Sequence, residues 1–274
     1  REPYQNHPKV GGIEIILTAP VSAGAFLTLN KTDMKDSPLS YSALKAFAKS
    51  PNHFIHYKTK DRVDSPAMAL GRAVHGYILE PEKFDDDFQI MPKIDRRTKA
   101  GKEQYLELME SAQGKQLVDH SDFWTVKEIA HSFISSKVAL ELLIDTEREQ
   151  HITGEIQGVP FHGYGDAVNQ SAGYCLDLKT CRDASPDAFM RDAHNMDYHL
   201  QAAVYRELFQ VDRFYWIAVE KDAPFNVTVF MQSEDAAKKS DHYLTTLIKK
   251  WKAWDGKPQP YSSEILNLDL PRWA

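Results

Sequence analysis

Residues 151–180 read HITGEIQGVPFHGYGDAVNQSAGYCLDLKT. Polar and apolar residues alternate here in three short runs, the pattern of three strands joined by two tight connections. In the last run Leu176 and Leu178 face one way while Cys175, Asp177 and Lys179 face the other, because strand side chains alternate with a period of two. An acid and an amine therefore stand side by side. Asp166 lies one strand earlier, across a turn through Asn169, Gln170, Ser171 and Gly173, so the hairpin can bring the two carboxylates together. Glu155 stands in the first strand. Two acids crowded beside one lysine are costly unless a further charge neutralises them, and a hard divalent cation does this.

Outward from this stretch the chain alternates helical and extended patterns. Upstream, Ser65-Pro66 is a strong helix start, followed by AMALGRAVHGYILE and a stop before Pro81. Gly71 and His75 share a face of this helix four residues apart, where the glycine lets another element approach closely and the imidazole is pushed inward. A lone interior histidine is by itself a packing residue. Farther upstream Ser40 caps a helix through Leu44, Phe47 and Ala48 that Pro51 ends, and HFIHY, with His53 and His56, reads as an aromatic cluster after that break. Residues 82–98 read as a polar loop, and 99–112 and 121–144 as two helices. The charged stretch Asp145 to Gln150 leads into the strands. Downstream come a helix from Ser185-Pro186 and another in DYHLQAAVYRELF, where Gln201 and Tyr205 share a face flanked by Tyr198 and Leu208. Strands at Phe214–Val219 and Asn226–Met231 follow. A closing helix then runs from the Ser233 cap to Gly256, with Tyr243, Leu244, Leu247, Ile248 and Trp251 on one apolar face. Residues 1–38 form an N-terminal arm with a strand candidate at Ile13–Leu17, and 39–274 a single domain.

Bulk composition bounds the function. The 274 residues are 42% hydrophobic and 26% charged, enough for a sizeable core. A net charge of −6 argues against a general nucleic-acid coat protein, although clusters such as Lys93, Arg96, Arg97, Lys99 and Lys102 permit a local basic surface. No apolar run reaches membrane-spanning length, so a soluble, cytoplasmic protein without a membrane partner is expected. Two cysteines, Cys175 and Cys181, are too few for a disulfide scaffold or an iron–sulfur cluster. The chain starts at Arg1 and not at Met, as a piece of a longer product would.

Five elements recur in a fixed order: Gly71-x-x-x-His75, Glu155, Gly163-x-x-Asp166, Asp177-x-Lys179 and Gln201-x-x-x-Tyr205. Singly each is weak; as a set they resemble the PD-(D/E)xK nuclease superfamily, its RecB-like branch, and within it the RecE-type (exonuclease VIII) recombination nucleases. The resemblance covers about residues 40 to 255. Two positions depart from the pattern: Gly165 stands where a proline precedes the first acid, and Asp177 replaces a glutamate, keeping the charge with a shorter reach.

The resemblance implies an α/β fold with a restriction-endonuclease-like core, a mixed central sheet flanked by helices, and additional N-terminal helices. It implies Mg²⁺ held by His75, Asp166, Asp177 and the Leu178 carbonyl, with Mn²⁺ substituting readily because an imidazole suits it better. Lys179 would orient and help deprotonate a water, Glu155 would serve a second metal or its water, and Gln201 and Tyr205 would position the DNA backbone or the lysine. Arg72, Thr180 and Arg182 are candidate phosphate contacts. By the same resemblance the substrate is an end of linear double-stranded DNA, degraded 5′ to 3′ by a tetrameric ring to leave 3′ tails for a single-strand annealing protein of the RecT kind. A RecB-like single-strand or structure-specific endonuclease, and a non-catalytic DNA-processing scaffold of the same fold, remain as alternatives.

Overall fold

Serine caps and prolines set the helix starts of the N-terminal half. In the computed structural model, which describes residues 9–10, 13–14, 34–35, 37–61, 65–262 and 264–270, Ser40 accepts from the Ala43 amide and starts α1 (Tyr41–Lys49). Ser50 caps α2 (Pro51–Thr59) and Ser65 caps α3 (Pro66–Leu79) in the same way. Both prolines take the first helical turn, where a missing N–H leaves nothing unsatisfied. Pro51 thus ends one helix by beginning the next, and HFIHY is helical, not a cluster after a break. Most of the expected arm, with Ile15–Leu17 of its strand candidate, lies outside the described residues; Lys9–Val10 pairs with Ile13–Glu14.

The expected polar loop at 82–98 instead contains α4 (Phe84–Asp87) and β1 (Phe88–Ile90). Phe84 is buried and stacks on Phe88 with ring centroids 4.7 Å apart, so two aromatic anchors draw an acidic run onto the protein. After α5 (Lys99–Ser111), β2 (Gln116–Val118) pairs parallel with β1. The expected helix at 121–144 is two, α6 (His120–Ser135) and α7 (Lys137–Glu141). Ser136 separates them by leaving helical geometry and capping the second through its hydroxyl, the local competition that makes serine a poor mid-helix residue.

The main sheet contains β3 (Glu147–Ile156), β4 (Val159–Asn169) and β5 (Tyr174–Cys181), then, after α8 (Pro186–Asn195) and α9 (Tyr198–Phe209), β6 (Arg213–Glu220) and β7 (Val227–Met231). Helix α10 (Glu234–Ala253) closes the fold. Strand order is β3-β4-β5-β6-β7; β5 and β6 are parallel, joined by the α8–α9 crossover, and every other pair is antiparallel. One core, with Leu44, Phe54, Leu200 and Trp251, packs α1, α2, α9 and α10 on one side of the sheet; the other, with Val74, Ile129, Leu176 and Ile217, packs α3 and α6 on the opposite side. This mixed sheet between helices has the layout that the motif series led one to expect, and no helix among the described residues is long and apolar enough to cross a membrane.

One irregularity positions the chemistry. Strands β4 and β5 pair only from Ala167–Asn169 against Tyr174–Leu176 and then part. Leu39 takes up part of the freed edge of β4, its amide donating to Pro160 O and its carbonyl accepting from the His162 amide, each at 2.9 Å. Asp166 stands where the strands split.

Candidate active site

Side chains from both helical layers meet at this split. On β3 and β4 the register places Arg148 opposite Ala167 and Gln150 opposite Gly165, so Glu149 falls across from Asp166. Like charges directly opposed destabilise a sheet, and the ladder skips this pair. Glu149 also holds φ at 48°, the left-handed region that a non-glycine residue enters only under constraint. From α3, His75 reaches in with Nδ1 3.4 Å from Asp166 Oδ2 and 4.0 Å from Glu149 Oε1. Ligand atoms of His75, Glu149 and Asp166 all lie within 4.8 Å of one another. The backbone of Leu178 joins them: its amide donates to Asp166 Oδ2 at 2.7 Å, and its carbonyl lies 2.6 Å from His75 Nε2.

The electrostatics of this group are unfavourable without a counter-charge. Burial, and then the Asp177 carboxylate, push the Asp166 pKa up to about 6 despite His75, Lys179 and the Leu178 amide. Burial, and then Asp166, push Glu149 up to about 7. Two oxygen donors in this state beside an imidazole fit a divalent cation, whose charge would return both acids to their ionised form.

Asp177 is not part of that group. Its Oδ1 accepts a 2.5 Å hydrogen bond from Gln201 Nε2 on α9, and its Oδ2, which has no well-directed hydrogen bond, lies 2.6 Å from Lys179 Nζ. Burial opposes the Lys179 charge, but Asp177 and Asp166 outweigh it and raise the ammonium pKa above its ordinary value. Tyr205, one turn beyond Gln201 on α9, lies within electrostatic reach of Asp177 and Asp166. It is buried against the Phe209 and Phe214 rings, and a Cβ on Gly163 would come 2.9 Å from its ring. That glycine lets α9 close onto β4. Gly71 is less critical: a Cβ there would lie 3.6 Å from Thr180 Oγ1, an ordinary contact.

A cleft of about 1140 Å³ opens over the split, lined among others by Arg72, His75, Glu149, Lys179, Thr180 and Arg182. The three candidate phosphate contacts therefore share its wall, and Arg72 is steered by donating to Gln116 Oε1 at 2.8 Å. Glu155 is not brought to the site. It is exposed, paired with Pro160 near the hairpin tip and six residues along β3 from Glu149, roughly 20 Å at strand rise. In the sequence Glu149 lies within the charged stretch that leads into the strands, where nothing local sets it apart. The signal lay in the turn: Gln157 and Gly158, with φ of 51° and 72°, form a two-residue connection of the left-handed kind. Counting back from it along both strands pairs 149 with 166.

Residues 40–268 match the family described as "PDDEXK-like domain of unknown function (DUF3799)". No curated protein matches the chain. Among solved structures, a candidate exonuclease from Eubacterium rectale is similar with a TM-score of 0.58 and 14% identity over 92% of this chain and 97% of that one, which shows a shared fold. A phage-related exonuclease from Haemophilus somnus aligns at 11% identity over 82% of this chain and 97% of its own with a TM-score of 0.36, too loosely to support an argument.

Proposed function

The chain belongs to the PDDEXK-like family matched by residues 40–268, and from that premise we propose that it is a nuclease, specifically a divalent-metal-dependent exonuclease of linear double-stranded DNA. The observation that carries this reading is the split between β4 and β5. It sets an acid–imidazole group beside an ammonium held on Asp177, at the C-terminal end of a parallel strand where α/β sheets bind ligands. His75, Glu149 and Asp166, with the Leu178 carbonyl, would hold Mg²⁺ or Mn²⁺, and Asp177 borders them. When bound, the cation supplies Lewis-acid polarisation of the scissile phosphodiester.

The protein's own groups do the rest. Lys179, beside two carboxylates that favour its ammonium form, opposes the charge that develops on the phosphate and orients the attacking water, as expected from the sequence. Gln201 fixes the Asp177 carboxylate and thereby the lysine. Arg72, Thr180 and Arg182 take flanking phosphates along the cleft. The Eubacterium rectale protein of this fold is described as a candidate exonuclease, and attack from an end is proposed by analogy with that description. We extend the reading to 5′ to 3′ degradation by a ring of subunits, leaving 3′ tails for an annealing protein of the RecT kind.

Digestion of end-labelled linear duplex, bearing 5′-phosphate or 5′-hydroxyl, beside a covalently closed circle tests this in Mg²⁺, Mn²⁺ and EDTA. Early release of 5′-labelled nucleotide with an intact circle is expected. Cutting of the circle establishes the endonuclease alternative, and inertness in both metals establishes the scaffold.

A further inference from the structure

We infer that Tyr198 is a positioning residue for Lys179, and that Tyr41 and Lys45 on α1 hold Tyr198 where it acts; the inference rests on Lys179 serving as the site's ammonium. A lysine side chain has about 2 kcal/mol of rotamer freedom to lose before it can present a charge at one point. Here two contacts restrict it. Asp177 Oδ2 lies 2.6 Å from Nζ, and the face of the Tyr198 ring lies 4.8 Å from the same atom. The ring attracts the ammonium through its quadrupole without accepting an N–H in the manner of a second carboxylate. Asp177 then takes one donor and the others stay directed into the cleft, which Tyr198 also lines.

The ring's position is imposed from outside the site. Tyr198 opens α9 directly after Asp197, which has φ 56° and ψ 34° in the left-handed region and makes no side-chain cap. A corner of this kind persists only where its surroundings over-determine it. Helix α1 supplies that constraint. Tyr41 Oη donates to Met196 O at 2.7 Å and to Asp197 O at 3.2 Å, and Lys45 Nζ donates to Met196 O at 2.6 Å. Burial lowers the Lys45 pKa, Asp197 opposes this, and the neighbouring Lys179 charge adds to the lowering, so the net shift is downward. Phe189 braces the ring with centroids 6.0 Å apart. Helix α1 thus reaches Lys179 through the corner carbonyls and one aromatic ring.

The test is steady-state kinetics on linear duplex in Mn²⁺ with Tyr198→Phe, Tyr198→Leu, Tyr41→Phe, Lys179→Ala and the double variant Tyr198→Leu/Lys179→Ala. Loss of a cation–π contact corresponds to roughly 2- to 30-fold. Tyr198→Leu should lower kcat within that range with KM and Mn²⁺ half-saturation unchanged, while Tyr198→Phe retains kcat within about twofold. Tyr41→Phe should give a smaller loss of the same kind, independent of whether the leucine variant is stable. In the double variant the Tyr198 change should add nothing to Lys179→Ala. A Tyr198→Leu loss that is undiminished in the Lys179→Ala background, or that appears in KM, or a wild-type kcat for both Tyr198→Leu and Tyr41→Phe, overturns the inference and leaves the site intact. Wild-type turnover by Lys179→Ala instead overturns the site assignment itself.

Discussion

The two acid groups at the split differ in how their charge is compensated. Asp177 is complete in the bare protein: Gln201 holds one oxygen and Lys179 stands against the other. Glu149 and Asp166 face each other beside the His75 imidazole, with Lys179 offsetting Asp166 only in part, and their pKa values rise to about 7 and about 6. One half of the site is compensated by its own neighbours, and the other has donors that could hold a divalent cation. Both halves hang on the same strand segment, since Leu178, between Asp177 and Lys179, meets Asp166 with its amide and His75 with its carbonyl.

The largest effect should come from breaking the self-compensated half. Lys179→Ala and Asp177→Asn should each lower kcat for nucleotide release by roughly 10²- to 10³-fold, the loss typical of removing one preorganised electrostatic contact. Their folds should persist by circular dichroism, and near-normal turnover in either would place the chemistry elsewhere. In the other half the contrast is between two glutamates on one strand. Glu149→Gln should weaken Mn²⁺ binding by about 10- to 100-fold in calorimetry, using the loss seen for groups supporting a metal as a lower guide, whereas Glu155→Gln should leave it unchanged. The opposite ranking would dissolve the comparison.

Proton linkage gives a milder test. Because the folded pKa values of Glu149 and Asp166 are raised, their contribution to stability is full below the ordinary carboxylate range near pH ~4 and is lost as pH climbs through about 6 and about 7. Metal-free protein should therefore lose melting temperature between pH 5 and pH 8 relative to Glu149→Gln, and Mn²⁺ should stabilise the native chain most at pH 8. A wild-type and a variant curve running parallel over that interval would contradict it. The smallest effect concerns how each helical layer approaches the sheet. Gly163→Ala, which forces a Cβ within 2.9 Å of Tyr205, should cost about 1–3 kcal/mol in chemical denaturation. Gly71→Ala, with 3.6 Å to Thr180, should be neutral or slightly stabilising, since alanine is the better helix residue by up to about 1 kcal/mol.

What was legible in the sequence was whatever depends on neighbours a few residues away. Strand alternation put Asp177 and Lys179 on one face, helical spacing set His75 a turn beyond Gly71, and Ser-Pro pairs marked helix starts, because period and capping are local geometry. Local signals also misled where a distant partner won. Phe84 and Phe88 pulled a polar-looking segment into helix and strand, Ser136 divided one helical pattern into two, and Pro51 began a helix as well as ending one.

The sequence by itself carried strand alternation, helix capping and the order of His75, Asp166, Asp177, Lys179 and Gln201, which are written residue by residue, and the resemblance of that order to a known superfamily implied the fold class. Only the tertiary structure decided which glutamate joins Asp166, that Gln201 grips Asp177 while Tyr205 packs the core, and that Tyr198 faces the ammonium. Each of these depends on strand register and on where two strands part. A one-residue slip in register changes every cross-strand partner, so such choices belong to the assembled sheet.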